Sequence, residues 1–285
     1  MKTHLSHYLF AFSNALILFS FFSCTPKPNA EDKPIEYNWG TAALRIERPV
    51  AEGAEECYLI DFKLDTLAGE SPLAKSLSAV LCDSVIGAGY SSLSKAMQAF
   101  ADSLEADWKE ELAERYADQP EYRDILQYTY EVEGKVAPGA QPLAQSAMKA
   151  DDAGQESTPA EQKGWKGDAL SYMVTTSCYL GGAHGSYVVS YYNFDVKTGK
   201  LLKIEDIVPA GKEQDVLKAM AEQLCKDWEA KDLADLQEKT GITMLGDLYL
   251  TNNFLLKGDS IEFLFNQYEI APYAAGLIGV TLPRP

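Results

Sequence analysis

Apolar residues alternate with polar ones over residues 37–48 and again over 57–64. The turn-forming stretch PVAEGAEE lies between them, so the two runs predict an opening β-hairpin. After Ser91, read as a helix N-cap, the period changes. Leu93, Met97, Phe100, Leu104, Trp108 and Leu112 recur every three or four residues and predict an amphipathic helix to about Tyr116, its outer face acidic. The stretch DILQYTYEVEGKV after Pro120 reads as a strand, and residues 137–168, rich in Ala, Gly, Pro, Gln and Ser, as a long mobile hairpin loop. Strands are predicted at 170–180 and 187–196, with a tight turn at KTGK after Asp195. A second long helix follows, with Leu217, Met220, Leu224 and Trp228 on its apolar face and Leu233 and Leu236 extending it. The chain ends in a predicted hairpin, 248–256 with 261–265 around Lys257-Gly258-Asp259, and a last strand at 277–282.

Hairpins dominate, and strands and helices come in separate runs. That order predicts an α+β fold with a largely antiparallel sheet or sheets packed by two long amphipathic helices. Residues 37–200 form one α+β part and 201–285 a second, which pack as two domains or as one unit. AFADSLEADW at 99–108 and AMAEQLCKDW at 219–228 share Ala99/Ala219, Ala101/Ala221, Leu104/Leu224, Asp107/Asp227 and Trp108/Trp228. The two helices are therefore expected to pack equivalently on a sheet.

The first 24 residues change the picture. Lys2 precedes a run that is apolar from Tyr8 to Phe22 apart from small polar residues, and the run ends at Ser23-Cys24. Such a segment is a secretion signal, too short and interrupted for a comfortable membrane span. It resembles a bacterial lipoprotein signal over residues 1–23, with Cys24 as the lipidated N-terminus. Ser23 and Cys24 fit that motif, whereas Phe21 and Phe22 stand where a leucine and a small residue are usual. An ordinary cleaved signal and a short anchor are the alternatives. Residues 24–36, polar and carrying three prolines, read as a tether. These features place the protein in the cell envelope, lipid-anchored at the outer membrane or cell surface.

Composition narrows the partners. The 285 residues are 46% hydrophobic and 24% charged, enough to bury a real core. Forty-two acidic residues against 25 basic ones give a net charge of −17. Such a surface repels nucleic acid and favours cationic partners. Cys57, Cys82, Cys178 and Cys225 permit two disulfides in three pairings, or buried thiols. Their spacing matches no C-x-x-C motif, and His184 is the one histidine beyond Cys24, so neither a metal nor another cofactor is implied.

Three segments carry a family resemblance: GGAHGSYVVSYYNFDVKTGKLLKIEDIV at 181–208, the helix after it, and IEFLFNQYEIAPYAAGLIGVTLP at 261–283. G-A-H followed by F-D-x-x-T-G-K, then Q-Y-E-I-A-P-Y-A-x-G, resembles the RsiV-like and PdaC-like extracytoplasmic domain of unknown function. That domain forms the ectodomain of lysozyme-sensing anti-sigma factors and also stands beside a peptidoglycan deacetylase domain. The resemblance implies an extracytoplasmic α+β module that binds a protein or glycan, with a lysozyme-like cationic protein or a peptidoglycan fragment as ligand. The lipoprotein signal, in place of a sigma-binding segment and membrane helix, speaks against a direct anti-sigma role. No segment or metal motif provides a deacetylase.

His184 admits three readings: fixing an unusual turn through backbone hydrogen bonds, contacting a ligand, or serving as a general base with Ser186, Asp195 or another acid in an envelope hydrolase. The glycines around it favour the turn, and no nucleophile elbow, P-loop or H-E-x-x-H is present. In QYEIAPYAAG, Pro272 and Gly276 interrupt a strand pattern and leave Tyr268 and Tyr273 for an exposed edge or loop. Tyrosine suits an interface because a rigid apolar ring ends in a polar tip. Glu269 reads as a ligand or as a buried, paired carboxylate. His184, Tyr268, Pro272 and Tyr273 are thus the candidate ligand-binding residues, Cys24 the lipidation site, and no catalytic residue is assigned.

Overall fold

The structure is a computed structural model that describes residues 37–49, 52, 57–87, 89–118, 128–138, 168–181 and 183–285. The predicted signal, Cys24, the tether and most of the predicted 137–168 loop lie outside the described residues.

Alternation produces the expected hairpin. Strands β1 (Asn38–Pro49) and β2 (Cys57–Ala68) pair antiparallel, Asn38 opposite Ala68 and Pro49 opposite Cys57. Tyr58, Ile60, Phe62 and Leu64 are fully buried on one face, while Asp61, Lys63 and Asp65 point to the other, where Arg45 pairs with Asp61 at 2.7 Å.

Two helices cover the buried face. Helix α1 (Pro72–Val80) starts where Ser71 Oγ accepts the Ala74 N–H and Pro72 presets the first turn. Its buried Leu73, Ala74, Leu77 and Val80 face the sheet, and a π-helical turn, Leu81–Gly87, continues it. Helix α2 (Leu93–Asp118) follows; Ser92, one residue later than expected, accepts the Lys95 N–H on its hydroxyl. Trp108 makes edge contacts with Tyr58 and Tyr128, and Phe100 with Phe62.

Because the helices form a crossover, β3 (Tyr128–Val136) pairs parallel to β2, the one parallel pairing among the described strands. Strands β4 (Ala169–Leu180), β5 (Ser186–Asp195) and the short β6 (Leu201–Leu202) complete a sheet in sequential order, each antiparallel to its predecessor. In the FDVKTGK turn, Asp195 Oδ1 accepts the Lys197 and Thr198 N–H groups. Gly199 adopts a left-handed φ of 69°, and a Cβ there would lie 2.4 Å from the Pro72 carbonyl. That motif therefore docks the sheet onto the start of α1.

A one-turn helix α3 (Ile204–Ile207) leads to α4 (Glu213–Asp227), α5 (Leu233–Thr240) and a second sheet, β7 (Phe254–Lys257), β8 (Ser260–Phe265) and β9 (Ile278–Pro283), antiparallel throughout. The predicted single long helix is two helices. Glu229 takes a φ of 50°, and Asp232 starts α5 by accepting the Asp235 N–H. Helix α4 buries Val216, Met220 and Leu224, but Trp228 and Leu233 are 46% and 39% exposed, so neither belongs to the buried face. Each of α2 and α4 packs on a sheet, α2 beside β1 and α4 beside β9, but the expected equivalence does not extend to the matching tryptophans, since Trp108 is buried and Trp228 exposed. Strand β7 begins at Phe254, not near 248, because Asn252 and Asn253 use their side chains to bond Ile204, Val189 and Tyr191.

Fold class thus stands as α+β in two mostly antiparallel sheets. The described residues fall within one compact unit. The second core, built on β7–β9 and α4, also takes in Ala169 and Leu202 from the first sheet. Cys82, Cys178 and Cys225 are thiols, and burial pushes each thiol up. No helix among the described residues is long and apolar enough to cross a membrane.

Candidate ligand-contact site

The β4–β5 connection is a backbone problem before it is a chemical one. Gly181 takes a φ of 78°. At Gly185 a Cβ would lie 2.8 Å from the Cys178 carbonyl, so only glycine permits that approach. His184 is thereby presented at the end of the sheet, exposed, its Nδ1 3.2 Å from the Gly185 carbonyl oxygen.

The loop between β8 and β9 meets it. Pro272, with φ at −59°, opens a short 3-10 turn, Tyr273–Ala275. Tyr273 donates its hydroxyl to the same Gly185 carbonyl at 3.0 Å, and its ring stacks on the His184 imidazole with centroids 3.8 Å apart and planes 16° from parallel. Tyr268 stands 5.8 Å from Tyr273 and is 58% exposed. It adopts a left-handed φ of 68°, which a bulky residue seldom takes without support. The support is local. Its N–H reaches the Ala271 carbonyl at 3.1 Å, and the Glu269 N–H reaches the Asn266 carbonyl at 3.1 Å.

The structure brings three of the four predicted contact residues, His184, Tyr268 and Tyr273, into one aromatic shelf, with Pro272 shaping the turn beneath. Glu269 is exposed, not buried; its carboxylate accepts the Asn266 N–H at 3.1 Å and the Tyr249 hydroxyl at 3.3 Å. Burial first, and the nearby Glu269 carboxylate second, push the Tyr249 phenol upward. Leu245 N–H contacts the Ile270 carbonyl, which sets the exposed Met244 and Leu245 beside the same loop.

Chemically, the shelf offers π faces, hydroxyl tips and acceptors, a surface for apolar and cationic groups. It does not assemble a triad. Asp195 lies at the far end of β5 from Ser186, roughly 30 Å at about 3.3 Å per residue, with its carboxylate in the turn described above. Among the described residues no three or more His, Cys, Asp or Glu side chains gather to hold a metal ion. Two open clefts of about 530 and 450 Å³ along α4 and α5, lined in part by Ala221 and Leu233, share no residue with the shelf.

Sequence reasoning missed Asn253 and Asn266, which tie this region together. Val189 donates its N–H to Asn266 Oδ1 at 2.8 Å, and its carbonyl accepts from Asn266 Nδ2 at 3.1 Å and Asn253 Nδ2 at 2.8 Å. Tyr191 donates its N–H to Asn253 Oδ1 at 2.9 Å. The available signal was Asn266, a polar residue directly after IEFLF, apolar but for Glu262.

Fold and shelf together define an α+β protein of two parts: a helix-covered sheet as body, and a loop-and-turn aromatic surface at its end. Residues 205–285 match the family described as protein of unknown function DUF3298. A solved structure of a DUF3298 family member from Bacteroides fragilis is similar at 20% identity, covering 88% of this chain and 91% of that one, with a TM-score of 0.68. A DUF3298 family protein from Pseudomonas aeruginosa PAO1 is similar at 16% identity over 88% of this chain and 92% of that one, with a TM-score of 0.52. These likenesses show the fold. No curated protein matches the chain.

Proposed function

We propose that the chain is a lipid-anchored cell-envelope module that binds a protein or glycan ligand, a cationic lysozyme-like protein first and a peptidoglycan fragment second. Cys24 is the lipid attachment point, and His184, Tyr268, Pro272 and Tyr273 form the contact surface. The observation that carries this reading is the exposed shelf in which His184 stacks on Tyr273 while Tyr268 is held outward in a left-handed backbone. Rigid exposed tyrosines supply contact area at small entropic cost. The net charge of −17 draws a cationic partner and makes the encounter salt-sensitive.

Calorimetry of the full-length protein in detergent against lysozyme and, separately, soluble peptidoglycan fragments tests it at low and high salt. Saturable binding is expected, weaker at high salt for lysozyme, with a loss of about tenfold or more in Tyr268→Ala and Tyr273→Ala. Absence of heat with both ligands at both salt concentrations overturns the ligand assignment. Mass spectrometry of the natural protein checks the anchor, which an unacylated mature chain rules out.

A further inference from the structure

We infer that Asn253 and Asn266 are positioning residues whose side-chain amides replace a missing strand on the outer edge of β5 and thereby set the stack of Tyr273 on His184. The inference rests on the proposed role of that shelf.

Strand β5 is laddered to β4 along nearly its whole length, from Ala169 opposite Asp195 to Cys178 opposite Ser186. On its other side β6 covers only Asn193 and Phe194. In an antiparallel strand, alternate residues turn both backbone groups to the same edge. Tyr191 and Val189 follow that alternation, as does Gly185 just before the strand, and each of the three is met by a side chain from beyond α5; Asn193, opposite Leu202 of β6, sends its own side chain across instead. Asn193 Nδ2 donates to the Phe254 carbonyl at 2.7 Å. Tyr191 and Val189 are held by Asn253 and Asn266 as described, and the Gly185 carbonyl receives the Tyr273 hydroxyl. An amide side chain carries one donor and one acceptor side by side, as a peptide unit does, so it can occupy a strand's place without continuing the sheet.

Two consequences make this more than packing. At Val189 and Tyr191 the outer edge of β5 is closed by side chains, and an unpaired strand edge is avoided there. Asn266 also stands two residues before Tyr268 and seven before Tyr273, and its own N–H is fixed by Glu269. The bonds to Val189 therefore fix the register between the β8–β9 loop and β5. A slip by one residue would move Tyr273 off the imidazole, because a single strand residue spans about 3.3 Å, more than the half-width of an aromatic ring.

The test reads the stack without any ligand. In NMR spectra of the full-length protein in detergent, His184 ring protons carry an upfield displacement from the stacked Tyr273 ring. Asn266→Ala and Asn253→Ala should lose that displacement, and the Val189 or Tyr191 amide should exchange about fivefold faster or more, as loss of one hydrogen bond implies. Val280→Ala, a buried β9 position away from β5, serves as a control that lowers stability but keeps both signals. Retention of the displacement in both asparagine variants overturns the inference, as does its equal loss in the control. Should Ala fail to fold at either position, slow exchange of the Val189 and Tyr191 amides in the unaltered protein still decides; fast exchange there overturns the strand replacement. Loss of the stack in the asparagine variants together with absence of lysozyme or glycan binding would leave this inference standing and remove the ligand reading.

Discussion

Glu105 projects from α2 over β2, where Tyr58 donates to its carboxylate and Arg48 and Lys109 approach to 3.7 and 3.3 Å. The carboxylate is only 14% exposed, yet its pKa is lowered, chiefly by the Tyr58 hydrogen bond and then by Lys109, against the desolvation that opposes them. A depressed carboxylate stabilises the fold above its unfolded value, about 4.3, and loses that contribution as pH falls through the folded value. The Tyr58 phenol is raised by burial first and by Glu105 second, so its contribution holds below about 10 and fades above it. Tyr58→Phe is expected to cost about 1.5–3 kcal/mol in urea unfolding at pH 7, because the bond lost involves a charged group. The gap between the two proteins should narrow below about pH 4; an equal gap at pH 3 would contradict the pairing. Single residues differed in how visible they were before folding. Tyr268, Pro272 and Tyr273 announced themselves because a proline and a glycine break a strand pattern around them. Asn253 and Asn266 did not, because an asparagine at a strand end reads as loop until the strand it bonds is known.

Among the elements, the two tryptophans that looked alike separate most clearly. Trp108 on α2 is 3% exposed between two tyrosine rings, whereas Trp228 is 46% exposed just past the end of α4. Trp108→Ala should cost about 3–5 kcal/mol and Trp228→Ala no more than about 0.5, compared by the same urea titration. Equal losses would restore the equivalence that the fold removes. The strand pairs 37–48 with 57–64 and 170–180 with 187–196 were legible because period-two patterning and turn residues agree. The break between α4 and α5 was not, since the apolar spacing runs through it and only the Asp232 cap and the left-handed Glu229 interrupt the helix. Helix α1 had its start signal in Ser71-Pro72, but nine residues with lysine and serine among the apolar positions are a faint period.

For the whole molecule, the antiparallel, helix-covered character followed from composition and order of elements, while the joining of two sheets through side-chain amides had no counterpart in hydrophobic pattern. One feature of the architecture governs time as well as shape. Strand β3 pairs parallel to β2 only after residues 69–127, with α1 and α2, have crossed between them. Closing so long a segment carries an entropic cost that the tight β4–β5 hairpin escapes, and non-local pairing slows folding. Pulse-labelled hydrogen exchange during refolding should find the β4-facing amides of β5 shielded before the β2-facing amides of β3. The reverse order would show that the crossover nucleates the chain. A polypeptide that assembles in this sequence exposes its first hairpin, β1 with β2, to chance encounters for as long as the crossing takes, and the charged outer row of Arg45, Asp61 and Lys63 keeps that waiting surface soluble.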